Sequence, residues 1–159
     1  MSLQNAISSF VKYNHWANEK LNAWLMGLDD DLLYTETASS FPSIAATVQH
    51  LQESHRFWLC VITVVPVSMR EETHDAATNL EWLLEDSNRM LDEFSAYTEE
   101  DLLMKVSSPD MTQTRYDFIL HTVNHNSYHR GQIVTMCRRL GIADNIPAMD
   151  YEVFLWSQQ

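Results

Sequence analysis

The sequence has little glycine and proline, with three glycines and four prolines in 159 residues. Average usage would give about 19 such residues in a chain of this length. Sheet proteins need glycine and proline in their hairpin turns, so the shortage argues against a many-stranded sandwich or barrel. Hydrophobic residues still make up 45% of the chain. We therefore expect one all-α domain over residues 1–159, with a sizeable core and a few long helices.

Basic residues are also scarce, because 10 lysines and arginines face 22 acidic residues, giving a net charge of −12. Such a surface repels phosphate backbones and anionic lipid headgroups. We therefore expect neither a nucleic-acid partner nor a membrane partner.

Long apolar runs and cysteines are few. The longest apolar run, 57–62, is far shorter than the roughly 18 residues that a membrane span needs. The amino-terminal segment lacks the basic start and apolar stretch of a secretory signal. Cys60 and Cys137 both lie in apolar helical patterns, which is typical of buried free thiols in a reducing compartment. The sequence therefore predicts a cytoplasmic protein.

Four segments show helical periodicity, and each carries a single apolar stripe. The stripes run over Leu3–Leu28, Ile44–Ile62, Leu80–Phe94 and Phe118–Leu140. Ser43 is the expected N-cap of the second helix, and the fourth begins near Thr114 and closes at Gly141. Four such helices predict a four-helix bundle. The connections of about 14 to 18 residues exceed the usual length between antiparallel neighbours, which favours a crossover connection.

For two groups of side chains outside these stripes, the sequence predicts whether they are packed or exposed to solvent. The tail from Pro147 carries three aromatic residues that should pack back on the bundle: Tyr151, Phe154 and Trp156. Carboxylates of the third helix are expected on its solvated face: Glu85, Asp86, Asp92 and Glu93.

Three of the seven histidines lie in the segment HTVNHNSYH of the fourth helix, as His121, His125 and His129. Residues four apart lie on one helical face, since each such step differs from a full turn by only about 40°. His125 and His129 share the stripe with core residues and should point inward. Two imidazoles so placed can bind one metal ion.

A buried histidine is more often a hydrogen-bonded core residue, and that alternative stays open. Two features favour a metal. Two buried imidazoles without a shared partner would leave several polar nitrogens to satisfy. Gly131 also lies in mid-helix, where glycine costs about 1 kcal/mol relative to alanine. We interpret Gly131 as a sign that another backbone or a ligand approaches closely.

A third metal ligand must come from another helix. The candidates are His50 and His55 in the second helix and His15 in the first, whereas His74 lies in a predicted loop. Spacing does not choose between them, although His55 is on the apolar stripe and His50 lies beside it. The chain carries no Gly-x-Ser-x-Gly motif and no glycine-rich phosphate loop, so nucleophile motifs offer no better site.

The histidine-rich segment of the fourth helix also resembles the signature of a known protein family. The block from His121 to Ile133, with His-x-x-x-His-Arg-Gly-Gln, closely resembles the signature of the DinB family of small bacterial metal-binding bundles. The segments 13–18 and 43–58 match the same pattern, and the tail Asp150–Leu155 fits it more loosely.

The resemblance implies a four-helix bundle with a long crossover and one divalent metal, zinc or nickel. Carried over by position, the ligands are His50, His125 and His129. Three neutral imidazoles leave coordination positions open, as in catalytic rather than structural zinc sites. Such a metal lowers the pKa of a water molecule or a thiol that binds to it.

Other residues near the predicted ligands have two interpretations each. His121, Asn124 and Tyr128 either contact the ligands or substrate, or simply pack between helices. Arg130 either binds an anionic substrate group or forms an exposed salt bridge. His55 stands where many relatives carry an acidic residue, and it could act as a fourth ligand or a proton shuttle.

The resemblance favours an enzyme that acts on a small-molecule substrate. Relatives in the wider superfamily include thiol-dependent S-transferases, so we expect transfer to a low-molecular-weight thiol first and metal-dependent hydrolysis second. An acidic thiol would need basic residues, and the chain offers a loose group of Arg130, Arg138 and Arg139. The rival class is a non-catalytic metal-binding or stress-response protein. The many aromatic residues make a homodimer a reasonable expectation.

Overall fold

The computed structural model describes residues 2–66 and 70–159, and most of them lie in helices. The elements in chain order are α1 (Leu3–Leu25), α2 (Asp30–Tyr34), α3 (Ile44–Thr63), α4 (Ala76–Ser95), α5 (Glu99–Leu103), β1 (Lys105–Ser107), β2 (Thr112–Thr114), α6 (Arg115–Arg139) and α7 (Tyr151–Ser157). The four long helices α1, α3, α4 and α6 correspond to the four periodic segments, and they form the predicted four-helix bundle.

Local capping fixes where two of these helices begin. The Ser43 hydroxyl accepts a hydrogen bond from the Ala46 amide at 3.1 Å, which confirms Ser43 as the N-cap of α3. Thr114 and Asp117 form a reciprocal capping box at the start of α6. Past the end of α6, Gly141 has φ of 84°, the left-handed conformation that terminates many helices.

The order of the helices around the bundle requires the predicted crossover. Helices α1 and α3 each pack mainly on α4 and α6, so α1 lies diagonally across from α3. One apolar cluster joins the carboxyl-terminal halves of α1 and α6 to the amino-terminal halves of α3 and α4. Helices α3 and α4 are therefore parallel, so the end of α3 at Thr63 and the start of α4 at Ala76 lie at opposite ends of the bundle.

A layer of polar side chains lies in the middle of the bundle, between this cluster and a second one near the other end. Its buried members are Asn14, Asn18, His55, Ser87, Asn126 and Arg130. The Arg130 guanidinium donates to the side-chain oxygens of Asn14 and Asn18 at 3.0 and 2.8 Å. Most of these polar groups are hydrogen-bonded, as buried polar groups generally are, whereas Nδ1 of His55 and Oδ1 of Asn126 have no partner among the described residues.

The connections contain short elements that periodicity does not reveal. Strands β1 and β2 form an antiparallel hairpin in which Val106 pairs with Gln113, and its turn contains no glycine. In the tail, Tyr151 stacks on Phe10 at 4.8 Å between ring centres and Phe154 is buried, as expected. The expectation is wrong for Trp156, which is 61% exposed.

Asp86 corrects the expectation that the carboxylates of the third helix are solvated. Its side chain is only 2% exposed and lies 2.7 Å from Arg56 Nη1 and 3.3 Å from Arg70 Nη2. Asp86 faces α3 and the crossover connection, because an ion pair supplies the partner that a buried carboxylate needs. Glu85 beside it is 68% exposed, as expected.

Cys60 and Cys137 are thiols that form no disulfide, as expected, but only Cys137 is fully buried, whereas Cys60 is half-buried. Burial raises the pKa of the Cys137 thiol to about 11. Within residues 2–66 and 70–159, each helix is too short or too polar to cross a membrane.

Candidate metal centre

Three histidines from two antiparallel helices converge in the groove between α3 and α6. The Nε2 atom of His125 lies 3.2 Å from Nε2 of His50 and 3.1 Å from Nε2 of His129. The candidate ligand atoms of all three residues lie within 4.8 Å of one another. The structure thus brings together the three residues that the family resemblance implies as ligands.

Hydrogen bonding orients the His129 ring for metal binding. Its Nδ1 lies 2.8 Å from Oε1 of Gln132, and the Gln132 amide nitrogen donates to Ser40 Oγ at 2.9 Å. Because an amide oxygen only accepts, His129 Nδ1 carries the hydrogen. In a neutral ring Nε2 is then unprotonated, the form that coordinates a metal. Sequence reasoning missed Gln132 as a site residue, although its spacing three residues after His129 places it on the same face.

All three imidazoles favour their neutral form. Burial, followed by the nearby His129 and His50, lowers the pKa of His125 to about 4. Burial is also the largest cause that lowers the pKa of His50 and of His129. At neutral pH a metal therefore does not have to displace a proton from these rings.

The donor set fits a divalent metal ion. Two nitrogens bound to a tetrahedral zinc at roughly 2.0–2.1 Å are about 3.3 Å apart. The two closest nitrogen pairs of the cluster, at 3.1 and 3.2 Å, are near that spacing. Lone pairs facing one another at such distances need a shared cation or proton, and imidazole donors suit zinc and nickel alike.

Aromatic rings and one carboxylate surround the cluster. Phe41 stacks on His50 with ring centres 4.4 Å apart, and the exposed Tyr128 lies 5.1 Å from His129. His121 is exposed, with its ring 5.8 Å from His125 and 4.7 Å from Trp58. Glu53 lies one turn after His50, and its charge partly opposes the lowering of the His50 pKa. The predicted residue Asn124 is exposed on α6.

The other histidines lie apart from this cluster. His15 is 3.1 Å from Ser87 Oγ, in the interface of α1 and α4, and His74 contacts Gln49 near the surface. His55 is fully buried, and its Nε2 lies 3.3 Å from the Asn14 amide nitrogen, which can only donate. His55 is also outside the group of histidines whose ligand atoms lie within 4.8 Å of one another, so it is not placed as a fourth ligand.

Arg130 and Gly131 both depart from the expectations. Arg130 is 2% exposed and hydrogen-bonded to side chains of α1, so the exposed salt bridge is wrong. Among the described residues, a Cβ atom on Gly131 would meet no atom within 4 Å, so the expected close approach of another backbone is wrong there, and the alternative of a ligand stays a prediction. The helical stripe alone could not show that the guanidinium turns inward, because its acceptors come from another helix.

Fold and site together define a helical-bundle protein with a candidate three-histidine metal centre. The chain belongs to the DinB family, whose family model matches residues 1–159. A curated relative, "Protein DinB" of Bacillus subtilis, is 27% identical over 160 residues, covering 91% of both chains. This result confirms the resemblance seen in the sequence.

Solved structures show the same fold. A DinB-like protein from Bacillus cereus has a TM-score of 0.70 at 17% identity, covering 87% of this chain and 95% of the other. YfiT from Bacillus subtilis, described as "a probable metal-dependent hydrolase with an unusual four-helix bundle topology", has a TM-score of 0.71 at 18% identity. That match covers 90% of this chain and 91% of YfiT.

Proposed function

We propose that this protein is a metal-dependent hydrolase of a small-molecule substrate, with a zinc or nickel ion held by His50, His125 and His129. The observation that carries this proposal is the convergence of three neutral Nε2 atoms in a groove at the bundle surface. The description of YfiT as a probable metal-dependent hydrolase supports it by analogy of fold.

The residues of the groove have distinct roles in this proposal. A divalent metal supplies Lewis-acid chemistry, lowering the pKa of a water molecule bound to it. His50 and His125 are half-exposed, so a substrate reaches the cluster from solvent. The ring of Phe41 covers one side of the cluster and offers an apolar contact to the substrate. His121 lies exposed at the rim, with its ring 5.8 Å from that of His125, where it can contact the substrate.

Transfer to a low-molecular-weight thiol, the first choice from sequence, is the second candidate. Trp58 and Phe57 form a T-shaped aromatic pair at the rim of the groove, and Phe57 is 38% exposed. This apolar surface suits an apolar electrophile, which favours thiol transfer. The charges near the site oppose an acidic thiol, because Glu53 is at the rim. Arg130 cannot help there, since its guanidinium is buried against α1. The homodimer, the cytoplasmic location and the stress-response role stay predictions from the sequence.

Turnover by untagged protein loaded with zinc or nickel tests the proposal. Hydrolysis is followed with a panel of nitrophenyl esters, and thiol transfer with a chloronitrobenzene and a panel of cellular thiols. We expect ester turnover that His125→Ala abolishes and His74→Ala retains, since His74 lies outside the cluster. Turnover only in the presence of a thiol would favour the transferase. Bound metal without turnover in either assay would favour the non-catalytic metal-binding protein.

A further inference from the structure

We propose a second ligand site, for a small organic monocarboxylate, in a cavity between α1, α6 and the segment 146–150. The cavity has a volume of about 470 Å³, which is within the range of small-molecule sites. Its lining combines Arg130 and Arg138 with the hydroxyl groups of Tyr13 and Ser127 and with an apolar wall.

The charge of Arg130 is the first argument for an anion. Its Nη1 donates to Asn14 and Asn18, and its Nη2 donates to Ser127 Oγ at 3.0 Å and Tyr13 Oη at 3.4 Å. All four acceptors are neutral. Across residues 2–66 and 70–159, no carboxylate oxygen lies within 4.0 Å of this guanidinium. Burying an ionised group without an opposite charge is costly, and a bound anion would offset that cost.

Three other arginines with little exposure differ from Arg130, because each of them lies close to a carboxylate. Arg56 and Arg70 contact Asp86, and Arg115 lies 3.8 Å from Asp101. Their side chains are 11–16% exposed, whereas Arg130, at 2%, is more deeply buried and has neutral partners alone. The chain thus pairs these less buried guanidinium groups with carboxylates and leaves the charge of Arg130 uncompensated.

Although Arg130 is buried, its hydrogen-bond partners place its Nη2 end nearer the cavity than its Nη1 end. Ser127 and Tyr13, the partners of Nη2, both line the cavity, whereas Asn14 and Asn18, the partners of Nη1, do not. The contact with Tyr13 is long at 3.4 Å, so this N–H can turn to a stronger, charged acceptor. The hydroxyl groups of Ser127 and Tyr13 lie at the same end; they donate to the carbonyl oxygens of Val123 and Met149 at 3.1 and 3.0 Å, and each would have to rotate to donate to a bound carboxylate.

The rest of the lining selects the kind of anion. Arg138 and Asp150 add one positive and one negative charge, so the lining has a net charge of +1 with Arg130, which suits a monoanion. Val134, Ile146 and the segment 147–149 supply an apolar wall for the organic part of the ligand. These features favour a monocarboxylate with an apolar body over inorganic phosphate.

Gly131 explains why the cavity exists at this position of α6. It lines the cavity, and a Cβ atom there would meet nothing within 4 Å. A larger residue would extend its side chain into that open space. The mid-helix glycine therefore keeps the floor of the site open. This role gives a reason for a glycine at a position where it destabilises the helix relative to alanine.

This site is distinct from the metal centre. Successive residues of a helix are about 100° apart, so Arg130 faces another direction from His129. His125 and His129 contact His50 of α3, whereas Arg130 contacts Tyr13, Asn14 and Asn18 of α1. Ligand binding in the cavity therefore requires no metal.

Binding of benzoate to the full-length protein, measured by calorimetry and NMR shift mapping, tests the proposal. Benzamide is the neutral probe of the same shape and inorganic phosphate the anion without an apolar body. We expect benzoate to bind about tenfold or more tightly than benzamide, because a charged acceptor strengthens the bond to the guanidinium. Shift changes should centre on Tyr13 and Met149, and affinity should be equal with zinc bound and after zinc removal.

Variants of α6 supply the steric test. Gly131→Leu should abolish benzoate binding by filling the floor, and circular dichroism checks that it folds. Thr135→Leu is the matched control, because Thr135 is exposed one turn later and does not line the cavity. Arg138→Gln, at an exposed position, should weaken binding several-fold and remains informative if Gly131→Leu does not fold. Equal affinity for benzamide, tighter binding of phosphate, full binding by Gly131→Leu, or binding that disappears with the zinc would each overturn the proposal.

Discussion

The Nδ1 atom of His129 lies 2.8 Å from Oε1 of Gln132. The other end of the Gln132 amide is held by Ser40, in the connection that leads into α3. This pair of contacts fixes which nitrogen of His129 carries the hydrogen and which way the ring faces. Gln132 is therefore a positioning residue for the candidate metal centre rather than a ligand.

Replacing Gln132 should weaken metal binding without removing it. In Gln132→Leu the His129 ring loses its acceptor, and we expect zinc affinity to fall roughly 10- to 100-fold. Competition with a chromophoric chelator measures the change. Gln132→Glu keeps an oxygen acceptor and should bind zinc at least as tightly as wild type. Wild-type affinity in Gln132→Leu would show that the ring needs no such support.

Removing His125 should remove stoichiometric metal. His125 contacts both other rings, at 3.1 and 3.2 Å, so its loss leaves two separated imidazoles. Elemental analysis of untagged, dialysed protein should find one metal per chain in wild type and almost none in His125→Ala. His121→Ala is the control, because His121 lies four residues earlier on the same helix but outside the cluster. Full metal content in His125→Ala would mean that the metal binds elsewhere.

Local signals predict the long helices and part of the metal centre. The four apolar stripes and the Ser43 cap depend on residues near one another in sequence, so they can be read directly. The His125–His129 pair follows from helical spacing in the same way. The assignment of His50 as the third ligand does not follow from spacing, because preferring His50 to His55 requires knowing which face of α3 meets α6. The resemblance to relatives supplied that choice.

The buried charges could not be predicted from periodicity. A helical stripe assigns Asp86 and Arg130 to the solvent, since it ranks residues by hydrophobicity alone. Their partners lie on other elements: Arg56 and Arg70 for Asp86, and Asn14 for Arg130. By contrast, the capping box of Thr98 and Asp101 that begins α5 is a local signal that could have been recognised.

Asp86 should be among the most sensitive polar positions for stability. Removing this buried carboxylate breaks the ion pairs that Asp86 forms with Arg56 and Arg70, so Asp86→Ala should lower the free energy of unfolding by about 3–5 kcal/mol. Urea denaturation measures this loss. Glu85→Ala is the matched control, because Glu85 also contacts Arg70 at 2.7 Å but is 68% exposed. That variant should lose less than about 1 kcal/mol, and equal losses in the two variants would contradict the argument.

Gly131→Ala should stabilise the protein. Alanine is favoured over glycine in a helix by about 1 kcal/mol, and the added methyl group meets no atom within 4 Å. For a chain of this size the melting temperature should rise by roughly 2–4 °C. The opposite result is expected for Gly141→Ala, because φ of 84° disfavours any side chain. A destabilised Gly131→Ala would restore the idea of close approach by another group.

His55 should make the stability of the protein depend on pH. Burial, followed by the charge of Arg130, lowers the pKa of His55 to about 3, while an unfolded chain has a histidine pKa near 6.5. Below about pH 6.5 the unfolded state therefore binds a proton that the folded state does not. Stability falls as the pH falls towards 3, by about 1.4 kcal/mol per pH unit from this residue.

The variant His55→Gln isolates this contribution, because an amide can still accept from Asn14 and does not titrate. Urea denaturation from pH 7.5 to 4.5 should show wild type losing about 2–3 kcal/mol more than His55→Gln over that interval. The histidines of the metal centre titrate in both proteins, so their effect cancels in the difference when both are measured without metal. Parallel stability curves would mean that His55 binds its proton in the folded state as readily as in the unfolded one. In that case its burial would cost the protein nothing in acid.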